Sequence, residues 1–167
     1  MNIPMDKEAR LSGTTLAEHP AELRLWLRML TCTQLVENQV RAQLREQFNT
    51  TLSRFDLMAQ LERAPDGLKM NELSRRMMMT GGNVTGITDQ LFTEGLVERV
   101  SVPNDRRSFR VKTTPKGRKL FSAMAVEHES WIVEAFSALT SKEIGTLYEL
   151  LRKVKEHSQA KTEPQPE

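Results

Sequence analysis

Helical periodicity, interrupted by turns, runs through this chain from about Ala21 to Val154 and gives way to strand alternation only once, between Leu96 and Thr113. That single break restricts the folds open to it. Leu23, Trp26, Leu27, Leu30, Val36, Val40, Leu44 and Phe48 recur at steps of mostly three or four, which predicts one long amphipathic helix. Behind Asn49 and Thr50, a cap candidate, Leu52, Phe55, Met58 and Leu61 keep the period up to the turn Ala64-Pro65-Asp66-Gly67. Two short helical segments follow: Leu68 to Met77, then a second behind Thr80 with Val84, Ile87 and Leu91. Gly95 stops the second, because glycine is the favoured residue just past a helix end. Leu96 to Val100 then reads as a strand, Val102 to Asp105 as a turn, and Ser108 to Thr113 as the returning strand. Pro115 suits the first position of a further long helix carrying Leu120, Met124, His128, Trp131 and Ala135. Ser141 opens a last helix whose Ile144, Leu147, Tyr148, Leu151 and Val154 repeat at three and four. The expected order is α-α-α-α-β-β-α-α.

Two short helices followed at once by a hairpin, flanked by longer helices, is the layout of a winged helix-turn-helix, in which the second short helix enters the DNA major groove. The expected fold is mainly α with a small β-hairpin wing. Its winged helix-turn-helix occupies about 51–114, between N- and C-terminal dimerisation helices at 20–48 and 115–157. With 167 residues and 38% hydrophobic content, the chain has room for one such domain at 20–157, an N-terminal segment 1–19 and a tail 158–167, both ends expected to be mobile.

Charge placement agrees with that layout. The whole chain carries a net charge of only +2, yet Arg99 to Lys119 holds eight basic residues and one acid, a local +7 that leaves −5 for the remainder. Basic charge gathered on the hairpin and the start of the next helix is the footprint of a phosphate-binding surface. One cysteine, Cys32, excludes an intramolecular disulfide, and no apolar run approaches the ~18 residues of a membrane span. The N-terminus shows no signal-peptide pattern, so a soluble cytoplasmic protein without membrane association is expected.

The stretch from Leu68 to Gly117 resembles the MarR family of bacterial transcriptional regulators. Its most specific part is Asp105-Arg106-Arg107 followed by Val111, Thr114 and Gly117, similar to the family's wing pattern of Asp-x-Arg, a hydrophobic residue, then Leu-Thr-x-x-Gly. Thr113 stands where leucine is usual. The resemblance implies a homodimer with intertwined terminal helices on a pseudopalindromic double-stranded operator, and a repressor released by a small ligand. Apolar stripes on the first and last helices, long for so small a domain, independently fit an interface, although Leu147, Leu151 and Val154 taken singly suit plain intramolecular core equally well.

Within the recognition helix, Thr80 is the expected N-cap, and Gly81, Gly82 and Asn83 form a first turn whose amides can approach a phosphate at the positive end of the helix dipole. Asn83 suits an adenine edge or a second cap, and Thr85 and Thr88 suit phosphate or a thymine methyl. No Arg or Lys lies between Thr80 and Glu94, so specificity leans on DNA shape and on the wing. The resemblance makes Arg107 the wing-tip arginine of the minor groove, with Asp105 placed to hold its guanidinium. Arg106 and Ser108 are expected on the backbone, as are Arg75 and Arg76, which serve equally well as a solvated face.

For the effector, Arg24 and Arg28, one helical turn apart, suit a carboxylate or phosphate, with Trp26, Met29, Phe55, Met58, His128 and Trp131 as apolar or stacking surface, or else as plain core. The runs Leu23 to Arg28 and Arg54 to Met58 resemble the branch responding to aromatic acids or their coenzyme A thioesters. An alternative is a redox-sensing regulator switched through Cys32, although the one tyrosine, Tyr148, lies far along the chain and a buried cysteine is commonly inert. His19, His128, His157 and Cys32 lack ligand spacing, so no metal or cofactor is expected. Neither a nucleophile with its base nor a phosphate loop is visible, which argues against an enzyme.

Overall fold

The structure, a computed structural model, describes residues 19–102 and 105–160, and at 102 and 105–108 it describes the backbone alone. Eight elements follow in the expected order: α1 (Ala21–Phe48), α2 (Leu52–Glu62), α3 (Met70–Met77), α4 (Gly81–Thr93), β1 (Val97–Val102), β2 (Asp105–Thr113), α5 (Pro115–Ala135) and α6 (Ser141–Ala160). They form two compact units, divided between Glu127 and His128.

In the first unit the elements end where side-chain chemistry ends them. Asn49 takes a left-handed conformation and closes α1, its amide bonding back to the last turn. Thr51, rather than the expected Thr50, caps α2: its hydroxyl accepts from the Arg54 amide at 3.3 Å. At the start of α3 the Glu72 carboxylate accepts from the Lys69 amide at 2.8 Å. Gly95 has φ +70° and turns the chain from α4 into β1.

The core of this unit joins Leu44 of α1, Leu57, Met58 and Leu61 of α2, Leu73 of α3, Val84 and Leu91 of α4, Val97 and Val111 of the hairpin and Met124 of α5. Phe55 and Phe121 stack with ring centroids 5.5 Å apart, tying α2 to the first half of α5. The β1–β2 hairpin is antiparallel, pairing Val97 with Thr113 and Ser101 with Phe109, with an irregularity between Ser101 and Val102. Leu68 adds a one-residue bridge to the outer edge of β2, exchanging both backbone hydrogen bonds with Val111 at 3.0 and 2.8 Å.

Thr114 connects the hairpin to α5. Its hydroxyl donates to the Gly95 carbonyl at 2.8 Å and accepts from the Gly117 amide at 3.0 Å, while its own amide bonds the Leu96 carbonyl.

The second unit holds the end of α5 and all of α6. A reciprocal capping box starts α6: Glu143 accepts from the Thr140 amide at 2.8 Å and Thr140 accepts from the Glu143 amide at 3.3 Å. The helix runs to Ala160, past the expected end at 157, and none of its residues is buried. No helix among the described residues is long and apolar enough to cross a membrane.

Candidate nucleic-acid interface

The α3–turn–α4 pair forms the centre of the site. Met78 closes α3 in a left-handed conformation (φ 52°), and Thr80 precedes α4 in an extended one. Between the helices lies an open groove of about 760 Å³ lined by Asn71, Ser74, Arg75, Met78, Gly81 and Thr85, among others. Arg75, Arg76, Thr80, Gly81, Gly82, Asn83 and Thr85 are all exposed. Thr80 takes the N-cap position of α4 without a side-chain capping bond, and the Thr85 hydroxyl donates to the Gly81 carbonyl at 2.8 Å.

Thr88 departs from expectation. It is 0% exposed and its hydroxyl donates to the Val84 carbonyl at 2.8 Å, so it packs with Val84 and Leu91 and cannot touch phosphate or a thymine methyl. Sequence reasoning also passed over Asn71 and Ser74, and the helical spacing of Met77-Met78-Met79 suggested core for Met78. Met78 is 95% exposed, an apolar side chain held out at the helix-turn-helix corner where most proteins place glycine or asparagine.

The glycines of α4 are informative because nothing among the described residues packs tightly against them. A Cβ on Gly82 or Gly86 would meet no atom within 4 Å, and one on Gly81 only the Ser74 hydroxyl at 4.0 Å. Each glycine in a helix interior costs roughly 1 kcal/mol relative to alanine. Gly81 and Gly82 lie in the first turn of α4, so this cost falls on Gly86 alone, whose open surroundings leave room for close approach from outside.

Several cations of the basic segment are engaged by the protein itself. Arg110 donates to the Gly67 carbonyl at 2.8 Å, Lys116 to the Glu94 carbonyl at 2.8 Å and Arg118 to the Thr113 carbonyl at 3.0 Å, so these three brace the base of the wing. Arg99 pairs with Asp89 of α4. Asp105, Arg106, Arg107 and Ser108 begin β2 by backbone, and their side chains, which carry the wing-tip expectation, lie outside the described residues.

Of the expected effector residues, Arg24, Trp26 and Arg28 are exposed on α1, with Trp26 at 53%, and Met29 is half-buried. Phe55 and Met58 belong to the core of the first unit instead. His128 and Trp131 are half-buried in the second unit, where their rings meet edge to face at 6.5 Å. Cys32 is exposed.

Comparison with known proteins follows the same outline. The MarR family model matches residues 50–109, which hold α2 to the middle of β2. The uncharacterised HTH-type transcriptional regulator YkoM of Bacillus subtilis is 34% identical over 91 residues, 54% of this chain and 59% of that protein. A MarR family transcriptional regulator from Silicibacter pomeroyi superposes with a TM-score of 0.70 at 32% identity, covering 82% of this chain and 94% of that one. A mutant MarR from E. coli, solved in complex with operator DNA, superposes with a TM-score of 0.69 at 26% identity over 80% of this chain and 95% of that one.

Proposed function

This chain belongs to the MarR family of transcriptional regulators, and from that premise we propose that it binds a pseudopalindromic operator as a homodimer and represses until a small ligand releases it. The observation that carries the DNA-binding part is α4. It is exposed along its outer face, leaves open space among the described residues where Gly82 and Gly86 would carry a Cβ, and is set beside a basic hairpin. The E. coli MarR complex supports this reading, since a related fold there holds operator DNA.

In this reading α4 lies in the major groove. The amides of Gly81 and Gly82 approach a phosphate, and Asn83 and Thr85 face base edges. Arg107 enters the adjacent minor groove, held by Asp105, while Arg75, Arg76, Arg106 and Ser108 contact the backbone. Homodimerisation is supported by α6, whose Ile144, Leu147, Tyr148, Leu151 and Val154 are all exposed at helical spacing. A two-fold dimer matches two half-sites about one helical turn apart.

The effector we propose is an aromatic acid or its coenzyme A thioester, its acidic group held by Arg24 and Arg28 on one face of α1 with Trp26 as stacking surface. Exposure of all three supports this. The alternative, a redox switch at Cys32, is supported by the exposure of that thiol.

DNase footprinting of the DNA upstream of the chain's own gene tests the proposal. The expected result is one protected pseudopalindrome, lost on adding an aromatic acid or thioester and retained with that ligand in Arg24→Ala/Arg28→Ala. Release by peroxide that Cys32→Ser abolishes would favour the alternative. No protected region at any concentration would overturn the operator reading.

A further inference from the structure

Arg99 belongs to the basic segment Arg99–Lys119, but its surroundings give it another task than attracting phosphate. It sits in β1, paired in register with Val111, and on the same face lies Phe109, two residues along β2. Its guanidinium carbon is 5.0 Å from the centroid of Phe109 and 5.0 Å from that of Phe92 on α4. The same guanidinium forms an ion pair with Asp89, three residues before Phe92 on α4.

One side chain therefore touches both strands of the wing and the last two turns of α4, through two aromatic faces and one carboxylate. A planar delocalised cation can stack on two rings while its edge pairs with a carboxylate, whereas an ammonium is a compact point charge with no face to stack. The charge is balanced by Asp89 and so is poorly placed to neutralise a phosphate.

We propose that Arg99 is a positioning residue for DNA recognition: a strut between Asp89 and Phe92 of α4 and Phe109 of β2 that fixes the angle of the wing to the recognition helix. This rests on the reading of α4 and the wing as the DNA surface. A helix in one groove and a wing in the next can discriminate among sequences only if their separation is fixed. A loose wing still finds phosphates anywhere on a duplex, but it reaches the right minor-groove step less often. The strut thus raises specificity without itself touching DNA.

The test has two arms. Without DNA, hydrogen exchange of Arg99→Met is compared with the parent chain. The strut predicts at least tenfold faster exchange in the β1–β2 amides, with those of α1 and α2 unchanged. With DNA, anisotropy titrations use a duplex selected by the parent protein from a random pool, and an unselected duplex as reference. Arg99→Met is expected to lower the ratio of the two affinities about tenfold, with the slope of log Kd against log salt unchanged. Arg99→Lys, which keeps the ion pair but loses the planar stack, should fall between.

Asp89→Asn keeps the arginine and removes a negative charge near the DNA. It should lower the same ratio, and the double variant Asp89→Asn/Arg99→Met should be no worse than Arg99→Met alone. An equal loss on both duplexes with a salt slope smaller by about one would overturn the proposal and make Arg99 a phosphate contact. An unchanged ratio, or unchanged exchange in the hairpin, would overturn it as well. If the parent protein selects no sequence, the DNA-binding reading fails, and the exchange arm alone decides whether the strut exists.

Discussion

Gly117 and Leu96 touch backbone to backbone: a Cβ on Gly117 would stand 2.0 Å from the Leu96 carbonyl oxygen and 2.9 Å from its carbon. That carbonyl also accepts the Thr114 amide at 3.1 Å, so the first turn of α5 is pressed onto the entry to β1 with no room for a side chain. The threonine and the glycine of the wing pattern thus have one physical cause, the docking of α5 against the base of the hairpin. Because the obstruction is backbone, a larger residue cannot be accommodated by a rotamer change. Gly117→Ala is expected to destabilise the fold by about 2–3 kcal/mol, in the range of overpacked cores. Urea unfolding followed by circular dichroism checks this, and an unshifted midpoint would contradict it.

Gly86 is the opposite case, with open space where its Cβ would be. Gly86→Ala should stabilise the protein by about 0.5–1 kcal/mol through helix propensity while weakening DNA binding, because the added methyl keeps the helix off its target. A thermal melt and a binding titration on the same preparation measure both. Stabilisation without loss of affinity would mean that nothing approaches this face closely.

The expected architecture was largely legible because amphipathic periods of 3.6 and 2 are local signals, and all eight elements carry one. What escaped was set by tertiary contact. Thr88 stands four residues after Val84 and three before Leu91, on the buried stripe of α4. A threonine can enter such a stripe because its hydroxyl bonds back to the carbonyl four residues earlier, as it does here to Val84. Chemistry suggested a DNA contact there, whereas the spacing pointed to core. The Leu68–Val111 bridge is a single pair, too short to leave a pattern in the sequence. Arg99 reads as one more basic residue until α4, β1 and β2 are assembled around it. Met78 was hidden among three consecutive methionines, of which only the middle one takes a left-handed conformation.

Glu72 gives a pH dependence with a definite sign. The Lys69 amide donating to its carboxylate, aided by the positive charges of Arg110, Arg76 and Arg75, holds its pKa below the ordinary value. A depressed folded-state pKa contributes stability above the unfolded value, and that contribution disappears as pH falls through the folded one. Stability should therefore fall on acidification below the ordinary carboxylate range, and Glu72→Gln should show a shallower fall. Urea unfolding at several pH values between 7 and 3 provides the comparison. Parallel profiles would show that the Glu72 charge does not contribute.

The exposed apolar face of α6 predicts that the proposed dimer depends on it. Leu147 and Leu151 are each 39% exposed, one turn apart. Leu147→Asp/Leu151→Asp should shift the protein towards monomer in sedimentation at micromolar concentration, with helix content kept and operator affinity reduced. A dimer that survives both substitutions would place the interface elsewhere.

Sequence-specific DNA binding through α4 and the wing is tested by fluorescence-anisotropy titration against the duplex upstream of the chain's own gene, with random duplex as competitor, at fixed near-physiological salt, for the parent chain and Arg107→Ala. Tight, competitor-resistant binding by the parent is expected, with at least tenfold weaker binding by the variant and its oligomeric state unchanged. Equal affinity of the parent for upstream and random duplex would contradict sequence specificity at that site. Equal affinity of parent and variant would contradict the role given to the wing.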